Sequence, residues 1–104
     1  PVTITVSLDA NDNSVIPTEF ALKSNYPNPF NASTSLRFDV PSESRVLITI
    51  YNVAGQEVAR PVDQTMPAGS HSVLYNAENL PTGMYLVKMN AGEFSAVQKM
   101  LLLK

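Results

Sequence analysis

Leu80-Pro81-Thr82-Gly83-Met84-Tyr85-Leu86-Val87-Lys88-Met89 is the stretch on which the fold turns. After a turn carrying Pro and Gly, Tyr85, Val87 and Met89 alternate with Leu86 and Lys88, the period of two that a half-buried strand requires. A Tyr at the start of a strand, just after a Gly-containing turn, matches a tyrosine corner, whose phenol hydroxyl bonds backbone upstream and pins a connection between two sheets. The acceptor is expected near Asn79 or Leu80. Antibody domains add paired Cys and a buried Trp, and this chain has neither residue type, so the sandwich belongs to a different family.

The same alternation recurs on both sides of this stretch. Val2, Ile4, Val6 and Leu8 share one face, Leu36, Phe38 and Val40 another, and Val46, Ile48 and Ile50 a third. Val73 and Tyr75 flank Leu74 in a weaker version. Turn-forming clusters at 11–14, 25–31, 41–44, 52–56, 67–70, 76–83 and 90–93 separate these runs and leave no room for helices of ordinary length. The economical architecture is an all-β, immunoglobulin-like antiparallel β-sandwich of about seven strands, with a small barrel as the alternative. Its core is predicted to hold Leu36, Phe38, Val46, Ile48, Ile50, Val73, Tyr85, Val87 and Met89.

Composition bounds the function. At 104 residues the chain is one ordinary domain, and 44% hydrophobic against 15% charged residues supports a folded core. A net charge of −2 and a pI near 5.2 leave no cationic excess for phosphates, so nucleic acid is a poor partner. No apolar run approaches the roughly 18 residues of a transmembrane segment. The absence of Cys removes thiol chemistry, and a single His leaves no multi-His metal site. The chain starts at Pro1 with no secretory signal pattern after it, and is read as a module of a longer polypeptide.

Each chemical motif has a plainer reading beside it. Asp9, Asn11 and Asn13 have the opening spacing of a calcium loop, but Ser14 and Phe20 stand where that loop needs Gly and a bidentate Glu. His71, between Ser70 and Ser72, invites a triad search, yet its register with Val73 and Tyr75 makes it a partly buried structural imidazole. Asn31-Ala32-Ser33 fits a glycosylation sequon that matters only in a host that reads it. No phosphate cradle or close carboxylate pair stands out. No catalytic, cofactor or metal site is expected, and the chain is not read as an enzyme.

Two stretches call for more. Tyr26-Pro27-Asn28-Pro29-Phe30-Asn31 interleaves prolines and asparagines between aromatics; prolines fix φ, Asn caps turns, and both rings would staple the loop onto the sandwich. Lys99-Met100-Leu101-Leu102-Leu103-Lys104 suits a strand buried on both faces and flanked by gatekeeper lysines, which face solvent while Leu101 and its neighbours pack inward.

These two stretches, with residues 46–51 running into Asn52-Val53-Ala54-Gly55-Gln56-Glu57-Val58, then Pro67-Ala68-Gly69-Ser70-His71 and the Leu80 to Tyr85 turn, resemble in collinear order the type A C-terminal sorting domain of the type IX (Por) secretion system. The resemblance spans about residues 20–104; residues 1–19 are a linker or leading strand outside it. More distantly, the chain resembles the immunoglobulin-like domain of the flagellar hook capping protein. The family commonly has Pro where this chain has Ala32, a departure expected to soften the loop.

The resemblance implies a non-enzymatic secretion and surface-sorting signal, recognised by an outer-membrane translocon. The partners it implies are the outer-membrane secretion machinery, a sortase-like protease and an N-terminal cargo domain in the parent chain. The destination is the exterior or cell surface, via the periplasm of a Gram-negative bacterium. The family's motif positions fall on Pro29, Gly55, Gly83, Tyr85, Lys99 and Lys104. Gly55 and Gly83 would serve turn geometry, and Lys99 and Lys104 are the candidates for direct recognition. The competing readings are a carbohydrate-binding or adhesive accessory module, which needs an exposed aromatic platform, and a structural immunoglobulin-like spacer.

Overall fold

Strands form where one face can be buried, and among the described residues seven segments do so. A computed structural model describes residues 16–104, with β1 at Ala21–Leu22, β2 at Ser33–Val40, β3 at Ser44–Tyr51, β4 at Glu57–Met66, β5 at Gly69–Asn76, β6 at Gly83–Ala91 and β7 at Phe94–Leu102. They form two antiparallel sheets, ordered β1-β2-β5 and β4-β3-β6-β7. The all-β sandwich is therefore the observed architecture, and the small barrel is not. β4 lies beside β3, whereas the seven-strand constant-type immunoglobulin arrangement places its fourth strand in the sheet of the first, second and fifth. The predicted Val2 to Leu8 row and the Asp9, Asn11 and Asn13 spacing lie outside the described residues.

The core fills the space between the sheets. Leu36, Phe38 and Val40 of β2 face Val46, Ile48 and Ile50 of β3, Tyr85, Val87 and Met89 of β6, and Met100 and Leu102 of β7, all nearly or fully buried. Val73 is the exception in the predicted core: it is only half-buried, as are His71 and Tyr75, because among the described residues β5 is an edge strand whose inward side chains meet no strand beyond it. The chain passes between sheets at residues 41–43, 67–68 and 77–82, and returns within one sheet through the long connection 23–32 and the tight turns 52–56 and 92–93. The second turn has Gly92 at φ 60°, the first central position of a two-residue II′ hairpin, which requires φ > 0.

The tyrosine corner is present, one residue along from its expected place. Tyr85 is 4% exposed, and its hydroxyl donates to the Pro81 carbonyl at 2.6 Å rather than to Asn79 or Leu80. The acceptor lies in the β5 to β6 crossing, so the bond ties that inter-sheet connection to the strand it feeds. Tyr85→Phe should lower stability by about 0.5 to 1.5 kcal/mol, the net worth of one hydrogen bond. Chemical denaturation measures this; an unchanged midpoint would leave packing alone as the reason for Tyr.

Candidate functional site

The residues at 26–31 and 99–104 are far apart in sequence and adjacent in space. Phe30 is 2% exposed; its amide donates to the Leu101 carbonyl at 2.9 Å, and the Leu103 amide donates back to the Phe30 carbonyl at 2.9 Å. These bonds form a parallel bridge between Phe30 and Leu102. Asn28 completes the seam, accepting from the Leu101 amide through Oδ1 at 3.0 Å and donating through Nδ2 to the Lys99 carbonyl at 3.3 Å. The loop thus pairs with the free edge at the end of β7, a place where unpaired backbone would otherwise offer itself to another chain.

Several expectations about these stretches change. Only one ring staples the loop, because Tyr26 is 70% exposed. Asn28 bridges to β7 instead of capping a turn. The last strand is not buried on both faces: Met100 and Leu102 point inward at 1% and 0% exposure, while Leu101 between them lies half-buried on the outer face and Leu103 is exposed. A strand at a sheet edge has one core face, so four consecutive apolar residues must alternate.

Asn25 and Thr34 anchor the loop's base. Asn25 Nδ2 donates to Thr34 Oγ1 at 3.0 Å and to the Pro27 carbonyl at 3.1 Å, and the Thr34 hydroxyl donates to that same carbonyl at 2.8 Å. At the loop's exit, Ala32 has φ 71°, in the left-handed region, and its carbonyl accepts from the Ala77 amide at 2.6 Å. A proline ring locks φ near −65° and cannot adopt this backbone. Ala at this position permits a left-handed exit that a Pro would exclude. A left-handed Ala costs about 1 to 2 kcal/mol, offset in a Gly variant by greater unfolded-state entropy. Ala32→Gly should be neutral or stabilise by up to about 1 kcal/mol, and Ala32→Pro should destabilise by more than that, as read by thermal unfolding.

The six motif positions gather at one end of the sandwich. Pro29 lies exposed in the loop that pairs with β7. Gly83 opens β6 opposite Leu102, and Tyr85 lies opposite Met100. Tyr51, which ends β3, pairs with both Leu86 and Glu57, so the Gly55 turn sits beside the start of β6. Gly55 has φ 83°, and the Asn52 carboxamide oxygen accepts from the Ala54 and Gln56 amides, an Asx turn that needs the left-handed residue following it. Lys99 and Lys104 are both exposed and differ in engagement. Lys104 Nζ donates to the Glu78 carbonyl at 2.6 Å and its amide to Thr82 Oγ1 at 3.0 Å, whereas Lys99 has no carboxylate within ion-pair distance among the described residues.

Elsewhere the chemistry is structural. His71 stacks on Phe38 with ring centroids 5.3 Å apart, and its Nε2 lies 2.8 Å from the Pro67 carbonyl. Ser70 donates to Asp39 at 2.8 Å and not to His71, so the neighbouring hydroxyl, imidazole and carboxylate are not wired as a nucleophile and base. On β4, hydrogen bonding to Arg45 holds the exposed Asp63 carboxyl below the usual carboxylate range. Phe20 and Phe94 stack on each other with centroids 5.3 Å apart, and no row of exposed aromatics forms a sugar platform among the described residues.

Pro29 in the stapled loop, the Gly55 turn, the Tyr85 corner and the terminal β7 lysines thus form one end of one sandwich. The family model described as the secretion system C-terminal sorting domain matches residues 24–103, which takes in every one of those elements except Lys104. No curated protein matches the chain. The matched span runs from the loop that follows β1 to just past the end of β7, and the chain accordingly belongs to the type IX secretion system C-terminal sorting domain family, whose domains are secretion signals that direct a cargo to the cell surface or exterior.

Proposed function

We propose that this sandwich acts without catalysis, as a folded address read by an outer-membrane translocon, with Lys99 and Lys104 among the residues read. The observation that carries this is the convergence of the loop, the Gly55 turn, the corner and the last strand on one end of the molecule. Among the described residues Lys99 presents an unengaged ammonium, while Lys104 uses one of its three donors on the Glu78 carbonyl. The sorting unit begins near residue 20, because Phe20 stacks on Phe94 and β1 pairs with β2 ahead of the matched span. The cargo precedes it, crosses the inner membrane first and waits in the periplasm; a sortase-like protease then removes the domain.

The test is a fusion of the 104-residue chain to the C-terminus of a periplasmic reporter in a host with a type IX system. The reporter should appear on the surface or in the medium, shortened by the domain's mass if a protease removes it. Retention in the periplasm with folding verified would favour the structural spacer. Lys99→Gln with Lys104→Gln should leave stability within about 0.5 kcal/mol, since exposed substitutions rarely do more. Export should fall in that variant; unchanged export would make the lysines gatekeepers only.

A further inference from the structure

Besides its ends, the sandwich has two outer faces, and one is unusual. Residues opposite one another in an antiparallel pair share a face, so the outer face of the β4-β3-β6-β7 sheet can be read from its register. Met84 lies opposite Leu101; Tyr51, Leu86 and Lys99 form the next row, and Thr49, Lys88 and Val97 the one after. Met84 and Val97 are 43% and 53% exposed, while Tyr51, Leu86 and Leu101 are half-buried. Thr49 is only 2% exposed despite pointing outward, so the longer side chains around it, Lys88 opposite it among them, cover it. No element among the described residues covers this face.

Its charge is also set apart. Arg45 and Arg60 are matched by Asp63 and Glu57 along the β4 side, but Lys88 and Lys99 have no carboxylate partner among the described residues. They sit diagonally on adjoining strands, at positions about 7 to 8 Å apart and so within reach of one partner carrying two opposite charges. The face is thus cationic in a chain whose net charge is −2. A pair of unpaired lysines set in an apolar surface is the complement of an apolar patch bearing carboxylates.

We propose that this face is the docking surface of the sorting domain, and that its occupant is a protein of the export machinery presenting an apolar patch with two carboxylates spaced to meet Lys88 and Lys99. The proposal rests on the sorting reading and specifies the surface that is read. Two lysines are too few for a bilayer, where sequence-readable lipid binding takes clusters of about four to eight basic residues. Among the described residues the carboxylates that this face pairs against Tyr51 and Leu47 are Glu57 and Asp63, already engaged by Arg60 and Arg45, so a second copy offers no free partner to Lys88 and Lys99.

The experiment uses the same reporter fusion. Lys88→Glu with Lys99→Glu should leave the domain folded and cut export at least about tenfold, the effect of about 1.4 kcal/mol of lost affinity. Met84→Ser with Val97→Ser should act in the same direction, and Leu74→Ser, which removes an exposed apolar side chain from the other sheet, should leave export unchanged. Normal export of both outer-face variants, folded by circular dichroism, overturns the proposal and leaves the sorting role standing. Failure of the unmodified fusion to export overturns both. Cosedimentation of the purified chain with phosphatidylglycerol vesicles, or its dimerisation in sedimentation, lost in the Glu variant, would overturn it in favour of a lipid surface or a second copy.

Discussion

Ile48→Ala should destabilise the domain by about 2 to 5 kcal/mol, out of a total typically near 5 to 15 kcal/mol. Ile48 is 0% exposed and lies at the middle of β3, one of the two inner strands of the larger sheet, opposite Val62 of β4 on one side and Met89 of β6 on the other. Its side chain faces the β2 row of Leu36, Phe38 and Val40, so truncation opens a cavity at the contact between the sheets, where neighbours on three strands are held by their own ladders. Urea denaturation should show the midpoint fall with an unchanged slope, because the surface exposed on unfolding is nearly the same. A loss below about 1 kcal/mol would mean that the sheets are not close-packed at this point. Val97→Ala on the outer face, at 53% exposure, is the control and should stay within about 0.5 kcal/mol.

Strands with one core face and one wet face were readable in advance. β2, β3 and β6 show it: Leu36-x-Phe38-x-Val40, Val46-x-Ile48-x-Ile50 and Tyr85-x-Val87-x-Met89 are all inward rows. β4 carries no such signal, since only Val62 is buried and Pro61, Arg60 and Asp63 interrupt the run; it is an edge strand with a register shift against β3, shaped by its border with solvent. β7 hides its period for another reason. Its inward series is Phe94, Ala96, Gln98, Met100 and Leu102, in which Gln98 replaces an apolar residue because its amide reaches the Leu22 carbonyl at 3.0 Å and closes the side of the sandwich between β1 and β7. Local period cannot report a contact 76 residues away.

The candidate site was legible only as a set of parts. Pro29, Gly55, Gly83, Tyr85, Lys99 and Lys104 could each be singled out, but what gathers them is the register of β3, β6 and β7 together with the pairing of the loop with β7, and those contacts are made chiefly by backbone. A hydrogen bond between the Phe30 amide and the Leu101 carbonyl leaves no residue-type signature. The one side-chain clue was Asn28, whose carboxamide can donate and accept at once and so fits a bridging site as well as a turn.

Phe30→Ala is the test of that seam and should have the larger effect of the two, about 3 to 5 kcal/mol, as for other buried aromatics truncated to Ala. Phe30 is 2% exposed, and it holds the loop against Leu102, itself fully buried. Removing the ring takes away the packing that keeps the loop's backbone beside β7, so the Leu101 and Leu103 amides, bonded to Asn28 and Phe30, should lose protection from hydrogen exchange before the β3 and β6 amides do. Tyr26→Ala, at the loop's exposed ring, should change stability by no more than about 0.5 kcal/mol. The cycle of Phe30→Ala with Leu102→Ala should be non-additive by about 0.5 to 3 kcal/mol, because the two residues are bridge partners and both enter the same core. Additive losses would show that the loop and the last strand are anchored independently. If the export machinery reads the sandwich end as one folded surface, a reporter carrying Phe30→Ala should be retained even at a temperature where the core remains folded, while one carrying Tyr26→Ala leaves the cell as the unmodified fusion does.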